Sequence, residues 1–572
     1  MPDLPSHSAE TRNGNARGNS VMRLFNPKIL FRRRLVLFVF FCTVCMLLLY
    51  HTGVVNPDRF SFHRSENALV DQDETLTGSV SNSSFPNEQS KLENPANTYY
   101  LSAEHKKLSL GRQAKVRAAL LSTWGAYFSN AFGQDEIVPL TKEGKLSHNG
   151  WGVTVVDSLD TLLILSSQYD YIQGKQHVKN MTFSHGTVVP YFETTSRYIG
   201  GFLGAYELMQ DAIMLEKATE LGDLLAQAFE SPSGIPYSSL DFITGEATTA
   251  AHTEGSLLGE IGGLQMEFRR LAQVTGKRHF LEKSQYVIDF LDQSVTKIPG
   301  LYPQAFDPDS GKFKSQVVSL ENTGHRFYET LLKQYLFSVN TLEQYRVMYE
   351  RAADAIHKHL IYVDSEKRTF LASLDEDGKM VQSMNHEACA VPGMLALGAQ
   401  ALNRPDDLLL AKALIQTCIG MAETTTTGLP PSRIGWAAKD QYNELSSQHK
   451  NEIQRHGFYT IEKDYQLWPE IVESLFMLYR VTLDRQYQEA GWKFFLALEK
   501  HCKVKYGFSG LKDVGNGESK DNHMDSQFLA KTMKYLYLLF TPTDLLPIDE
   551  YLFTSGGHVI RIPRKWESRI TA

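Results

Sequence analysis

A few acidic side chains stand out because each falls at a predicted helix start beside a second charged or aromatic group. Glu193 follows Pro190 and precedes Arg197 by four residues. Pro469 suits the first position of a helix, which places Glu470 in the first turn. Glu473 lies three residues later on the same side, and Trp468 sits beside the pair. Asp525, near another helix start, shares a face with Phe528. Acids at helix N-termini are stabilised by the dipole and need no function. Paired carboxylates near aromatic rings are also what glycoside hydrolysis needs. One carboxyl protonates the leaving oxygen and the other activates water. A helix N-terminus lowers a carboxyl pKa, so an acid there needs burial or a neighbouring carboxylate to raise it.

Other chemistries lack their signatures. The sequence has no HExxH, no Walker A loop, no paired CxxC and no GxSxG. Asp307-Pro308-Asp309-Ser310-Gly311 begins like a calcium loop but lacks the later ligands and the final glutamate, so a plain turn is expected.

The elements that must hold these acids are helical. Tyr198, Ile199, Phe202, Leu203 and Tyr206 recur on one helical face. Gly200, Gly201 and Gly204 lie in the same helix. They cost helix stability, which implies close packing against a neighbour. Leu271–Phe280 (LAQVTGKRHF) and Leu478–Tyr487 (LYRVTLDRQY) form a faint internal repeat. Helix pairs that cannot bury their apolar faces alone stack on one another. A closed ring of pairs satisfies all of them, and an open solenoid is the alternative.

The chain has 572 residues, for which a prior of about 150 residues per domain suggests three or four domains. With 42% hydrophobic residues and a net charge of −7, the composition is globular and argues against nucleic acid as a partner. Residues 1–34 are polar and basic, and 35–50 are unbroken apolar residues. The reading is a cytosolic tail (1–34), a transmembrane signal anchor (35–55), a luminal stem (56–97) and a globular body (98–572). Sequons at Asn82 and Asn180 then become glycosylation sites. Cys42 and Cys45 fall in the apolar run. Cys389, Cys418 and Cys502 are left in an oxidising compartment, an odd number.

Several segments, in order, resemble the class I α-1,2-mannosidases of glycoside hydrolase family 47. They are NGWGVTVVDSLDTLLIL, FETTSRYIGGFLGAYEL, GEIGGLQMEFRRL, FYETLLKQYL, MNHEACAVPGMLALG, WPEIVESLFMLYRVT and MKYLYLLF. The resemblance implies an all-α fold, an (αα)7 barrel. It implies a single-pass type II protein of the endoplasmic reticulum or Golgi membrane. The activity implied is calcium-dependent, inverting removal of α-1,2-linked mannose from high-mannose N-glycans. Glu193 matches the acid, with Arg197 as its arginine, and Glu470 matches the base. Glu260, His386 and Glu473 match pocket residues, and Cys389 and Cys418 match a disulfide.

Seven positions depart from the family pattern. His325 stands where a third catalytic carboxylate is expected, and Thr323 where an arginine is. Trp468 replaces the arginine before Pro469. Ser555 and Gly556 replace a calcium-binding threonine and the glutamate after it, and Lys531 replaces an acid. Asp525 is a shortened glutamate. Ser555 keeps a hydroxyl and a carbonyl for calcium. His325 is placed to carry a proton near neutral pH. Two readings follow. One is a divergent mannosidase working through Glu193 and Glu470. The other is a mannosidase-like protein that binds mannose-rich glycoproteins with impaired catalysis.

Overall fold

The computed structural model describes residues 102–183, 188–249, 255–437 and 441–564. The expected tail, anchor, stem and Asn82 lie outside them. No helix among the described residues is long and apolar enough to cross a membrane.

The body is a ring of seven helix pairs, numbered here α1–α14 in chain order. The odd helices are outer: α1 Ala103–Ala131, α3 Gln168–Asn180, α5 Ala212–Leu225, α7 Arg278–Gln293, α9 Glu343–His359, α11 Pro405–Glu423 and α13 Arg485–His501. The even helices are inner: α2 153–164, α4 191–209, α6 258–275, α8 Gly324–Phe337, α10 386–402, α12 Glu470–Thr482 and α14 528–539. Burial separates the two sets. In α7 the buried positions are Phe280, Ser284, Val287, Ile288 and Leu291, one face of a helix. In α12 every residue from Glu470 to Arg480 is buried, as for a helix enclosed on all sides.

Each inner helix packs on the next, and the last returns to the first. At that closure Lys534 of α14 meets Asp160 of α2 at 2.8 Å, both fully buried. The ring is therefore closed, and the open solenoid is excluded. One core runs through all fourteen helices.

The glycines of α4 do the packing expected of them. A Cβ on Gly201 would lie 2.5 Å from the Val156 carbonyl oxygen, and one on Gly200 2.6 Å from the His558 ring. The faint repeat marks the same turn in two pairs. Gly276 ends α6 and Leu483 ends α12, both left-handed. Thr275 and Thr482, one residue earlier, each bond back four residues. The Asp307 segment is a turn, with Gly311 N donating to Asp307 O.

Short antiparallel strands decorate one end of the ring. Three of them run into inner helices: Val188–Pro190 into α4, Ser256–Leu257 into α6 and Ser383–Asn385 into α10. A final hairpin, Tyr551–Phe553 with Val559–Arg561, is buried from Leu552 to Ile560. Its turn carries Ser555 to residues of α6, α8 and α14. Cys389 and Cys418 form a disulfide between α10 and α11, and Cys502 is free and buried.

Candidate active site

The inner helices all run the same way, so their N-termini gather at one end of the ring. Glu193, Glu260, His325, His386 and Glu470 begin five of them, and Asp525 precedes a sixth. Pro469 is the residue before α12 rather than its first residue, so Glu470 itself opens the helix.

Arg197 organises the first group. It lies in a π-helical stretch, Thr195–Ile199, a distortion frequent at functional sites. Its Nε donates to Glu193 Oε2 at 2.6 Å. Its Nη1 donates to Asp525 Oδ1 at 2.6 Å and Ser526 Oγ at 2.8 Å. Burial alone would raise the Glu193 pKa, but the Arg197 guanidinium more than offsets it and the net shift is downward. Asp525, half-buried beside the same guanidinium, is held at about 2. Glu260 behaves oppositely. Burial, reinforced by the charge of Glu193, pushes it up to about 7 against the pull of the Leu257 N–H bond. The raised carboxyl that an acid needs is therefore Glu260, next to the residue expected to be the acid.

The second group surrounds Glu470. Burial opposes its ionisation, yet bonding and charge from His386, with Lys531 and Arg326, hold it at about 2. His386 Nδ1 approaches Glu470 Oε2 at 3.2 Å, and that oxygen has no aligned hydrogen bond among the described residues. It is an ionised acceptor, buried from solvent, with the His386 ring as its neighbour. Trp468 stacks on the His386 ring at 5.4 Å, while Tyr465 meets it edge-on. Glu473 faces inward, accepting from Tyr535 Oη at 2.9 Å and pairing with Lys531 Nζ at 3.1 Å.

Three expectations are corrected. His325 is buried, and its Nδ1 lies 3.1 Å from the Leu320 carbonyl, which it donates to. Burial, with Arg326 and Lys531 nearby, pushes its pKa down to about 3. It is neutral at physiological pH and carries no extra proton there. Phe528 is 1% exposed and packed on Phe508 at 4.9 Å, so it is a core ring with no face for a sugar. Ser555 is not free to hold a metal. Its hydroxyl donates to the Gly263 carbonyl at 2.7 Å. Its carbonyl accepts from Arg326 Nη1 at 2.5 Å and Lys531 Nζ at 3.3 Å. An oxygen already bonded by two cations does not fit a divalent ion.

Elsewhere, one ligand atom each of Glu136, His523 and Asp525 lie within 4.8 Å of one another, a group able to hold a metal ion. Two residues of the site escaped the sequence reading. Glu387, raised by burial and by Glu470, accepts from Thr323 N at 3.2 Å. Arg326 also escaped it. Their signal was adjacency, because each directly follows a residue already singled out.

The family model for glycosyl hydrolase family 47 matches residues 119–562. The chain belongs to glycosyl hydrolase family 47. It is 33% identical over 574 residues to the mannosyl-oligosaccharide 1,2-alpha-mannosidase MNS1 of Arabidopsis thaliana, covering 98% of this chain and 97% of that protein. It is 34% identical over 463 residues to the human mannosyl-oligosaccharide 1,2-alpha-mannosidase IB, covering 79% of this chain and 70% of that protein. The fold matches the alpha-1,2-mannosidase from Trichoderma reesei with a TM-score of 0.75 at 26% identity, over 79% of this chain and 99% of that one. The (αα)7 barrel is thus the family 47 fold.

Proposed function

We propose that this family 47 protein hydrolyses α-1,2-linked mannose from high-mannose N-glycans. One observation carries the reading. At one end of the ring an ionised carboxylate, Glu470, with a buried oxygen that has no aligned hydrogen bond among the described residues, accompanies a carboxyl that keeps its proton to about pH 7, Glu260. Glu470 takes a proton from water as the water attacks the anomeric carbon. The glycosidic oxygen leaves with a proton supplied by the Glu193–Glu260 pair. In the free protein Glu260 holds that proton and Arg197 keeps Glu193 ionised. Attack by water on the face opposite the leaving group inverts the anomeric configuration. Trp468 and His386 form the apolar wall beside the base. No step is routed through calcium, because Ser555 does not offer it a free ligand.

The compartment reading rests on the sequence. The basic residues of 1–34 and the apolar run of 35–50, extended to 55, support a type II anchor in the endoplasmic reticulum or Golgi membrane, with 56–97 as stem. Asn180, exposed at the end of α3, is open to glycosylation, and the Cys389–Cys418 bond suits a luminal body.

The test is incubation of the full-length protein with a high-mannose N-glycan, following mannose release and its anomer by proton NMR. Release of β-mannose, lost on Glu470→Gln, is expected. Glycan binding without release would overturn the reading in favour of a binding protein.

A further inference from the structure

The cations that meet Ser555 are placed with care. Lys531 and Lys534 are both buried on α14, and Lys531 reaches Glu473 and the Ser555 carbonyl together. Gly557, at φ +77°, makes room for the lysine stem, since a Cβ there would lie 2.7 Å from Lys531 Cγ. Gly556 has no space for a larger residue on this backbone, because its Cβ would lie 2.4 Å from the Ser196 carbonyl oxygen. Arg326 comes from α8 with its guanidinium over the Phe192 ring at 5.8 Å and its Nη1 on the same carbonyl. The hairpin turn, α8, α12 and α14 are thus tied through two fixed positive charges.

We infer that Lys531 and Arg326 form a built-in cation centre that takes over the structural place of the family's metal ion. The floor of the site is then assembled without calcium. A divalent ion at the Ser555 carbonyl would face two positive charges in a poorly screened interior. The ammonium and guanidinium instead do an ion's work of joining separate backbone and carboxylate oxygens. Lys333, two helix turns along α8 from Arg326 and paired with Glu329 at 2.7 Å, is a third buried positive charge. The inference rests on family membership and not on turnover, so its tests read metal and stability rather than mannose release.

The experiment uses the full-length protein, dialysed against a chelator and then against calcium. A Glu136→Ala variant in parallel removes the other metal-competent group. Calcium content by elemental analysis and the Tm with and without calcium are measured. No stoichiometric calcium in the Glu136→Ala variant and an unchanged Tm are expected. Bound calcium that survives Glu136→Ala, with a Tm that falls on chelation, would overturn the inference. The reverse test is Lys531→Glu with Arg326→Ser, probed with terbium. Sensitised terbium luminescence absent from the Glu136→Ala protein, and a rise in Tm of a few degrees with calcium, are expected. A folded double variant with neither response would also overturn it.

Discussion

Glu260 keeps its proton to about pH 7 with the ionised Glu193 as one of the causes. The two carboxyls are set apart by environment. Arg197 holds one charged, and burial beside that charge holds the other neutral. Two carboxyls in one site divide acid and ionised roles in this way when their surroundings push their pKa values apart.

The first prediction concerns the alkaline limb of the pH–rate profile. Activity should fall as Glu260 loses its proton above about pH 7. Glu260→Gln cannot release a proton, so kcat should drop about 10²–10⁴-fold. Glu193→Gln removes a neighbouring negative charge, so Glu260 should ionise more readily and the limb in the residual activity should move to lower pH. A limb that stays in place in both variants would sink the assignment of the proton to Glu260.

The acid limb belongs to Glu470. At about 2 it should be absent from any profile measured above pH 4, as an order-of-magnitude reading of a carboxylate two units below that point. His386 is the first group favouring the charged form, so His386→Ala should raise the Glu470 pKa and bring an acid limb into view. Glu470→Gln should instead lower kcat at every pH by about 10²–10⁴-fold, with substrate still bound. A His386→Ala enzyme whose acid side stays flat would show that the imidazole only packs against Trp468.

How much of this was legible in the sequence follows from what was local. The helical faces, the tight glycines of α4 and the repeated turn at Gly276 and Leu483 are short-range patterns. They survive into the structure with the same threonine bonds. The (αα)7 ring and the disulfide came from long motifs in a fixed order. Charge states did not come through. The neutrality of His325 depends on burial and on Arg326 and Lys531, which are next door in space but only one of them in sequence. The occupation of the Ser555 carbonyl depends on a hairpin some 230 residues from Arg326 folding back into the ring. Phe528 was misread because a helical position says which residues share a face, but not whether that face meets solvent or core.

Thr323 offers a stability prediction. It precedes α8 at φ +66°, after Asn322 at +48°. A β-branched residue is strained there, and its hydroxyl is buried without a partner among the described residues. Its backbone N–H bond to Glu387 would survive a change to glycine. Thr323→Gly should therefore stabilise the protein by about 1 kcal/mol, the relief of strain exceeding the added chain entropy. The denaturant midpoint is the readout, and a lower midpoint would mean that the Thr323 side chain packs better than its conformation costs.

The ring closure gives the last prediction, because it is electrostatic and fully buried. His558 Nε2 lies 3.0 Å from Asp157 Oδ1, and its Nδ1 3.4 Å from Asp160 Oδ1. Lys534 Nζ lies 2.8 Å from Asp160 and also donates to the Gly557 carbonyl at 2.8 Å. Burial and Lys534 oppose protonation of His558, but Asp160 and Asp157 outweigh them and its pKa is raised. A raised folded pKa gives stability that is complete below the unfolded value of about 6.5 and is lost as pH climbs through the folded value. Asp160 is shifted the other way by Lys534 and His558, against burial. Its contribution is present above its unfolded value of about 3.9 and is lost as pH falls toward its lower folded value. The Tm should therefore be highest in mildly acidic solution and decline on the alkaline side. His558→Gln keeps a hydrogen-bonding group but does not titrate, so it should flatten that decline while lowering the maximum. Asp160→Asn should do more, since it strands the Lys534 charge in the core at a cost of about 3–5 kcal/mol. Thermal unfolding of the three proteins from about pH 4 to about pH 9 decides it through the linkage of protons to folding. An alkaline decline of the same steepness in His558→Gln would place the titrating group elsewhere.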